Sequence, residues 1–440
     1  MKIKDDLLNR GALSIIRTLQ ENKYSAYFAG GCVRDMILEL PAYDIDIATS
    51  ALPDEILEIF PKCLKIGEAF GIINVVVDGI NYEVATFREE DDYRDGRRPE
   101  IIHYTDDPEK DAARRDFTIN AMFYEPFTGK ILDFFDGQKD LKNSVLQTVG
   151  EPMKRFNEDY LRILRAVRFA VRFGLTMSQE TADAVRKSVK GLHRLSGERI
   201  RDELNKIFIG KRPDEALEML FSLNLLDEVL PEVSAMYGVK QSEQYHPEGD
   251  VFTHTKLMLS HMPFPDVELA WSVLLHDVGK PGVFELDENA VPRFYCHESL
   301  SAEIAENILT RLKFSNKQKK NICTAVKNHM KFAHVDKMKK SKLLRLMTEE
   351  TFSLQLELHR IDCISSHKML DNYVFLLDKL LELNNTPQLP PPLLNGYDLI
   401  KLGFTSGPQL GEILNEIRDL QLEGTITSKE KAISFAENLL

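Results

Sequence analysis

A glycine pair followed, about ten residues later, by an Asp-x-Asp motif constrains this 440-residue chain more than any other feature. The pattern predicts a strand that ends at Gly30-Gly31, a helix behind it, and a second strand that carries Asp44 and Asp46. Such a turn lets backbone N–H groups approach an anion, which the Arg34 guanidinium can also reach. Carboxylates two residues apart leave the same strand face and repel unless a divalent cation lies between them. Taken alone, a glycine pair more often forms a simple turn, and an Asp-x-Asp motif more often lies on a solvated strand edge. Together they predict a site for phosphoryl or nucleotidyl transfer.

Two further segments extend this predicted site. Strands around Asp78-Gly79 predict a hairpin that brings Glu83 beside the carboxylate pair, where it completes a two-metal site or is an exposed edge charge. In the run 111–121, adjacent arginines including Arg115 could serve triphosphate oxygens, and Asn120 could hold a ribose hydroxyl. An ion pair to Asp116 is the competing interpretation for one of the two arginines.

Arginines recur every three or four residues at Arg162, Arg165, Arg168 and Arg172, which predicts one helical face with Asp159 one turn before the first of them. An aspartate accepts from an exocyclic amino group and an arginine donates to a ring nitrogen. Cytosine and adenine present that combination, whereas uracil and guanine present the reverse. The pair could therefore select C and A without a template. The alternative is a surface salt bridge.

The charge is uneven along the chain. The net charge is −13, yet residues 154–212 hold fifteen Lys/Arg against seven Asp/Glu, and residues 311–345 hold twelve against Asp336 alone. Two basic segments that could track a phosphate backbone are thus predicted, although a solvated face is an equal alternative for the second. Five scattered cysteines predict reduced thiols. Without a long apolar run or an apolar leader, we expect a cytoplasmic protein with no membrane partner.

Histidines and aspartates on predicted helices of the second half form a separate constellation. Its members are His254, His276, Asp277, His297, His329 and Asp362. A His–Asp doublet at the end of an apolar helix, with further ligands from other helices, predicts a mono- or dinuclear metal site. Any one of these histidines alone would more often be a core residue.

At these motifs the chain resembles the class II tRNA nucleotidyltransferases, which include CCA-adding enzymes and bacterial poly(A) polymerases. The resemblance covers roughly residues 24–235. The motifs that carry it are Gly30-Gly31-x-Val33-Arg34-Asp35, Asp44-x-Asp46, Tyr93-x-Asp95-Gly96-Arg97-x-Pro99, Arg114-Arg115-Asp116-Phe117-Thr118-Ile119-Asn120-Ala121 and Glu158-Asp159-x-x-Arg162-x-x-Arg165.

The family resemblance implies a polymerase-beta-like head in which Asp44 and Asp46 hold two Mg²⁺ ions, with Glu83 as a third carboxylate. It implies that Asp159 and Arg162 read the incoming base. The remaining residues of the implied nucleotide site are Gly30, Gly31, Arg34, Arg115, Asp116, Asn120, Arg165 and Arg168.

The second half resembles an HD-superfamily phosphohydrolase domain, whose H…HD…H…H…D pattern the six residues above match. His334 is a rival for the position of His329, and Asp362 rests on spacing alone. Some bacterial nucleotidyltransferases carry such a domain and act as phosphodiesterases or phosphatases on RNA ends. The resemblance therefore implies a second divalent metal, whose identity stays open.

These observations predict an α+β chain: a mixed-sheet head (1–150), a helical neck and body that selects nucleotides and binds RNA (151–240), an all-α HD domain (241–370) and a helical tail (371–440). The first functional hypothesis is CCA addition to the tRNA 3′ end from CTP and ATP by two-metal nucleotidyl transfer. A-only addition and poly(A) addition are alternatives. The family resemblance implies that enzymes adding only CC lack the loop that this chain has at Tyr93–Pro99. The presence of the loop therefore disfavours CC-only addition. A hypothesis of another class is an HD phosphohydrolase with an RNA-binding head. The oligomeric state is left open.

Overall fold

The computed structural model describes residues 6–41, 44–64, 71–91, 101–263, 265–383 and 389–440. Within it the chain divides into two compact units, Met1–Pro231 and Glu232–Leu440. The predicted loop Tyr93–Pro99 lies outside the described residues.

The first unit combines helices with a mixed sheet. Its helices are α1 (Leu7–Glu21), α2 (Gly31–Ile37), α3 (Pro53–Ile59), α4 (Pro108–Ala113), α5 (Gly137–Lys142), α6 (Pro152–Glu158), α7 (Leu161–Phe173), α8 (Gln179–Ser188), α9 (Gly197–Phe208), α10 (Pro213–Ser222) and α11 (Leu226–Val229), with 3₁₀ turns at Thr118–Asn120 and Val189–Arg194. Its strands are β1 (Ala26–Ala29), β2 (Ile47–Thr49), β3 (Cys63–Leu64), β4 (Ile72–Val77), β5 (Ile80–Thr86), β6 (Arg88–Asp91), β7 (Ile101–Tyr104), β8 (Met122–Glu125), β9 (Lys130–Asp133), β10 (Val145–Leu146) and β11 (Thr176–Met177).

A seven-stranded sheet in the order β3-β4-β5-β2-β1-β8-β9 forms the frame of the head. β2 and β5 run parallel, with Ile47 opposite Val84, whereas β1 pairs antiparallel with both of its neighbours. Alternating apolar residues of these strands face a buried core that Ile15 and Ile16 of α1 help to fill. The α+β prediction is therefore confirmed, and the sheet places the segment before β2 next to β5.

Two predicted elements are wrong in their extent. The strand expected to carry both aspartates begins at Ile47, so Asp44 and Asp46 precede it in extended backbone. The polar, charged run 88–99 also predicts a mobile loop, but its first residues, Arg88–Asp91, form β6, which pairs with β7 through backbone hydrogen bonds. Hydrogen bonding to a neighbouring strand overrides the polar composition of that segment.

The expected continuous helix through the arginine-rich segment is also wrong. α6 ends at its C-cap, Asp159, which has an extended backbone (φ −150°, ψ 106°), and α7 starts at Leu161. Asp159 and Arg162 therefore do not lie one above the other on a single helix. The aspartate favours this break because its side-chain oxygen accepts a hydrogen bond from the backbone N–H of Leu161 at 3.0 Å.

The second unit is largely helical. Its elements, with α12 (Pro231–Ser234) at the boundary, are α13 (Val251–Ser260), α14 (Val267–Leu275), β12 (Glu285–Leu286), β13 (Pro292–Arg293), α15 (His297–Arg311), α16 (Asn316–Asn328), α17 (Lys340–Met347), α18 (Phe352–Ser365), α19 (Asp371–Glu382), α20 (Gly396–Lys401), α21 (Pro408–Glu423) and α22 (Lys429–Glu437), with 3₁₀ helices at Lys280–Val283 and His329–Lys337.

Apolar α14 lies at the centre of this unit, with Trp271, the single tryptophan of the chain, fully buried on it. α14 packs against α13, α16 and α18, which places the helices that carry the predicted metal ligands around it. The last three helices enclose a small apolar core of their own. Among the described residues, none of the helices is long and apolar enough to cross a membrane.

Candidate functional sites

The glycine turn of the head has a conformation that other residues rarely adopt. Gly30 (φ 67°, ψ −123°) is the N-cap of α2, and Gly31 is the first residue of that helix. A Cβ atom added to Gly30 would lie 2.7 Å from Nη1 of Arg115. The turn and the arginine are therefore packed against each other. The backbone conformation favours glycine, and a side chain there would also displace the end of the Arg115 guanidinium.

Three carboxylates lie beside this turn. Asp44 and Asp46 are exposed while the intervening Ile45 is buried, which is the alternation expected if both aspartates leave one face. The backbone carbonyl of Asp46 accepts a hydrogen bond from the N–H of Ala29, the residue before the turn, at 2.9 Å. Glu83, also exposed, is brought near Asp46 by the parallel β2–β5 register.

The charges of these groups act on one another. Although part of the Asp46 side chain is exposed, the protein atoms packed around its carboxylate remove much of its hydration. This loss, followed by the negative charges of Asp44 and Glu83, raises the pKa of Asp46 to about 6, against a smaller opposing effect of Arg115. A divalent cation bound between clustered carboxylates removes their mutual repulsion, because each carboxylate is attracted to the cation. The three carboxylates therefore fit Mg²⁺.

A continuous chain of hydrogen bonds runs behind the turn. The buried Arg34 donates from Nε and Nη2 to Asp35 at 2.8 and 2.6 Å, and from Nη1 to Oδ1 of Asn120 at 2.5 Å. The amide nitrogen of Asn120 donates to Asp116 at 3.0 Å. Asp116 also accepts two bonds from Arg165 on α7, at 2.8 and 2.6 Å. Arg34 and Asn120, predicted to contact the nucleotide, are both buried and hydrogen-bonded to other side chains of the head, and their contact with a nucleotide stays a prediction.

Arg115 packs against the turn at Gly30, and its charge acts on Asp46. It donates from Nη2 and Nε to Asp111 at 3.0 and 3.3 Å, and from Nη1 to the backbone oxygen of Asn120 at 3.2 Å. Asp111 binds the neighbouring Arg114 as well. The structural ion pair that competed for one arginine therefore exists, but Asp111 makes it, while Asp116 pairs with Arg165.

The predicted base-reading pair is held by other partners. Asp159 accepts from Nη2 of Arg199 at 2.8 and 3.0 Å, and Arg162 pairs with Glu158 at 2.6 Å. Arg168 similarly pairs with the buried Glu203. The alternative of a direct Asp159–Arg162 salt bridge is not what the structure shows. Sequence reasoning missed Arg199 and Glu203, which the i, i+4 spacing of an arginine and a glutamate on an amphipathic helix could have suggested.

In the second unit, His276, His297 and His329 share one geometry. The Nδ1–H of each ring donates to the backbone carbonyl three residues earlier, at 2.8, 2.8 and 2.6 Å. This fixes the tautomer in which Nε2 carries a lone pair, an arrangement common among metal-binding histidines. Burial and the adjacent His276 lower the pKa of His329 to about 3, so that this ring is neutral at pH 7.

The three Nε2 atoms converge on Asp277. They lie 3.1, 3.2 and 3.8 Å from its carboxylate oxygens, and Nε2 of His297 is 3.2 Å from Nε2 of His329. Nε2 of His276 and Oδ1 of Asp277 are buried without a hydrogen-bond partner in the part of the chain that the structure describes. Facing lone pairs and an orphaned carboxylate oxygen fit a divalent cation.

His254 completes the cluster in a different way. Its Nδ1–H donates to Oε1 of Glu248 at 2.6 Å, and its Nε2 is 3.2 Å from Asp362. The same Glu248 oxygen accepts from Nδ1 of His246 at 2.9 Å. Although burial opposes the effect, these two bonds lower the pKa of Glu248 to about 2. Sequence reasoning missed Glu248, because the polar composition of segment 241–250 predicts a domain boundary there rather than a site.

A cavity of about 680 Å³ adjoins this cluster. Asp277, His297, His329 and Asp362 reach its wall, and the wall also contains apolar side chains such as Phe294. His334, the rival of His329, is an exposed wall residue, whereas His329 is buried beside Asp277. The geometry therefore favours His329 as the ligand.

Sequence models of three families match the chain. "Poly A polymerase head domain" covers residues 26–147, "Probable RNA and SrmB- binding site of polymerase A" covers 174–237, and a tRNA nucleotidyltransferase domain 2 covers 284–436. Together they span both units.

Curated relatives agree with these matches. A CCA-adding enzyme of Ligilactobacillus salivarius is 33% identical over 437 residues, covering 98% of this chain and 96% of its own. One of a Geobacillus species is 44% identical over 214 residues, which is 49% of this chain and 53% of its own. The solved Bacillus stearothermophilus CCA-adding enzyme in complex with CTP has a TM-score of 0.76 at 25% identity, covering 99% of this chain and 98% of its own.

Proposed function

The chain belongs to the CCA-adding enzymes of the class II tRNA nucleotidyltransferase family, and on that premise we propose that it adds C, C and A to the tRNA 3′ end from CTP and ATP. The observation that carries this proposal is the group of Asp44, Asp46 and Glu83 beside the Gly30-Gly31 turn. The solved relative in complex with CTP supports the choice of nucleotide. With these substrates, the cytoplasm is the proposed place of action.

The three carboxylates would hold Mg²⁺, which supplies charge stabilisation at the attacking and leaving oxygens when it is bound. Gly30 and Gly31 leave the backbone accessible to triphosphate oxygens, and Arg115 adds positive charge beside them. Buried Arg34 holds Asn120, Asn120 donates to Asp116, and Asp116 in turn would orient Arg165 towards the nucleotide. Each of these residues thus binds or positions substrate before transfer.

Base selection would use Asp159 and Arg162 as fixed groups. Arg199 holds the Asp159 carboxylate by a single nitrogen, which leaves acceptor capacity for an exocyclic amino group. The Arg162 nitrogens Nη1 and Nη2 bind Glu158 and two backbone carbonyls, while its Nε–H has no hydrogen bond among the described residues. That donor is available to a ring nitrogen, as selection of C and A requires.

Extension of tRNA lacking its CCA end tests this activity. We expect CMP and then AMP incorporation, lost on Asp44→Ala or Asp46→Ala and retained in the exposed control Asp54→Ala. A tRNA ending before CC that is never extended, while one ending in CC gains A, would establish A-only addition instead. Repeated AMP addition would indicate a poly(A) polymerase.

A second activity is proposed for the other unit: metal-dependent hydrolysis of a phosphate ester at an RNA end. The convergence of His276, His297 and His329 on Asp277, with His254 and Asp362 alongside, supports it. A divalent cation there would supply an activated water at neutral pH. The histidines of this chain would hold the cation, and the cavity wall would bind the ester.

Metal content and hydrolysis test this second site independently of the head. We expect His276→Ala and Asp277→Ala to lose bound metal and hydrolysis while keeping tRNA extension. Asp44→Ala should lose tRNA extension while keeping the bound metal of the second unit and its hydrolysis. A chain that hydrolyses RNA ends but never extends tRNA would favour the phosphohydrolase with an RNA-binding head.

A further inference from the structure

Phe169 of α7 lies among the arginines of the head that are expected to bind the nucleotide. Its side chain is buried, with an exposed fraction of 4%. The Cζ atoms of Arg168, Arg165 and Arg34 lie 4.3, 5.1 and 5.3 Å from the centroid of its ring. Guanidinium groups within about 6 Å of a ring face are attracted by the negative charge of that face. One aromatic side chain thus contacts three of the arginines that the family resemblance places at the nucleotide.

Two further rings keep Phe169 in place. Phe117, which follows Asp116 in the chain, packs against it edge-on, with ring centroids 5.7 Å apart and an interplanar angle of 80°. Phe173, one turn later on α7, stacks on it with centroids 6.1 Å apart and an angle of 19°. These two aromatic side chains restrict the orientation of the Phe169 ring. The ring can therefore act as a rigid support for the groups that lie over it.

The carboxylates that pair with these arginines do not fix the orientation of the guanidinium groups alone. Arg165 donates from Nε and Nη2 to a single oxygen of Asp116, and Arg168 donates from Nε to a single oxygen of Glu203. A guanidinium bound at one oxygen atom can still turn about that atom, unlike one held by both oxygens of a carboxylate. The Phe169 ring limits this turning, because both guanidinium groups lie over it.

Hydrogen-bond donors remain available on both guanidinium groups. Among the described residues, Nη1 of Arg165 forms no hydrogen bond, and neither does Nη1 or Nη2 of Arg168. The two side chains are 33% and 12% exposed. Two arginines one turn apart, held over the same ring with N–H groups to spare, suit neighbouring oxygens of a polyphosphate.

We propose that Phe169 is a positioning residue of the nucleotide site, where its ring holds Arg165 and Arg168 in the orientation that binds the triphosphate of CTP or ATP. This inference rests on the proposed CCA addition, and it names a residue outside the motifs that carry the family resemblance. Phe169 acts through the two arginines and does not itself contact the substrate. The alternative is a core residue that only fills space.

Phe169→Leu keeps an apolar side chain and removes the ring. We expect the KM for CTP and for ATP to rise about tenfold, because the cation–π contacts are lost, and the KM for tRNA to stay constant. Phe156→Leu is the matched control. Phe156 on α6 is fully buried as well, and no guanidinium lies over its ring among the described residues. This control removes the same atoms from the core and should leave the KM for CTP unchanged.

Binding of inorganic tripolyphosphate with Mg²⁺ separates the arginines from base recognition. Measured by calorimetry on the full chain, the Kd should rise about tenfold in Phe169→Leu and keep its wild-type value in Phe156→Leu. Phe169→Met, whose flexible side chain fills the same space without a ring, is the second variant and should give the same rise. Urea unfolding first establishes that each variant is folded. An unchanged Kd in the folded Phe169 variants, or an equal rise in Phe156→Leu, would overturn the proposal.

The proposed activity and this inference fail separately. A wild-type protein that extends no tRNA would refute CCA addition, whereas the Kd for tripolyphosphate would still compare the variants. A wild-type protein that binds no tripolyphosphate would overturn the positioning role of Phe169, whatever the extension assay shows.

Discussion

Asp116→Asn tests the electrostatic reasoning in the head most directly. The Asp116 carboxylate is buried, and it accepts from Arg165, Asn120 and the backbone N–H of Phe117. Although burial favours the neutral acid, the Arg165 guanidinium leads the effects that lower the pKa of Asp116 from 3.8 to about 2. Asparagine has the same shape without the charge, but its NH₂ group replaces one of two oxygens that both accept hydrogen bonds. The substitution therefore removes the ionised form together with one acceptor.

The magnitude follows from this pKa difference. A shift of about 1.8 units at 1.36 kcal/mol per unit corresponds to about 2 kcal/mol of unfolding free energy. Because the pKa is lower in the folded state, the contribution is fully present above about pH 4 and is lost as the pH falls towards 2. The variant should therefore be at least about 2 kcal/mol less stable at pH 7, and the difference from wild type should shrink at low pH.

Asp140→Asn is the matched control. Asp140 is also buried in the head, and it accepts from the Thr118 hydroxyl at 2.6 Å. Burial raises the pKa of Asp140, so its charged form is the less favoured one in the folded state. The same chemical change should thus leave stability at pH 7 unchanged or slightly higher.

Urea unfolding followed by far-UV circular dichroism measures the difference. Fluorescence of Trp271 reports the second unit, and its transition should not shift in either variant. Equal transitions for wild type and Asp116→Asn at pH 7 would refute the reasoning. So would equal destabilisation by Asp140→Asn, because loss of an ordinary hydrogen bond would then explain both.

Three further outcomes are expected. Gly30→Ala should lower the rate of nucleotide incorporation at least tenfold and reduce stability by about 1–3 kcal/mol, because the new Cβ meets Arg115 in a strained backbone; incorporation and urea unfolding measure this. Glu248→Gln should weaken metal binding about tenfold, since it loses the charge that orients His254, and metal titration checks this against wild type. His334→Ala should leave metal affinity unchanged in the same titration; a loss would restore it as the rival ligand.

The sequence motifs predicted the main features of the head because these features depend on residues close together in the sequence. The glycine turn, the hairpin at Asp78-Gly79 and the approach of Glu83 to the aspartates follow from turn chemistry and strand alternation. What the motifs could not supply was the choice of ion-pair partner. Arg165 binds Asp116 from 49 residues away, and Arg199 binds Asp159 from 40 residues away.

The second unit shows the same division. Spacing singled out the histidines and Asp277 that the structure brings together, but it could not separate His329 from His334. The backbone kinks at His334, which leaves that side chain exposed while His329 is buried beside Asp277. Glu248 was missed because it lies in the polar segment before α13, where no helical spacing marks it. Its role comes from its hydrogen bonds to His246 and His254. Contacts between residues far apart in the sequence determine which side chains lie in the cluster, and such contacts cannot be deduced from one sequence.

The hydrogen-bonded chain from Asp35 through Arg34, Asn120 and Asp116 to Arg165 crosses α2, the 3₁₀ turn and α7. Such a linkage makes three stretches of backbone, far apart in sequence, open and close together. Their amide protons should exchange with deuterium at one common rate, as a single cooperative unit.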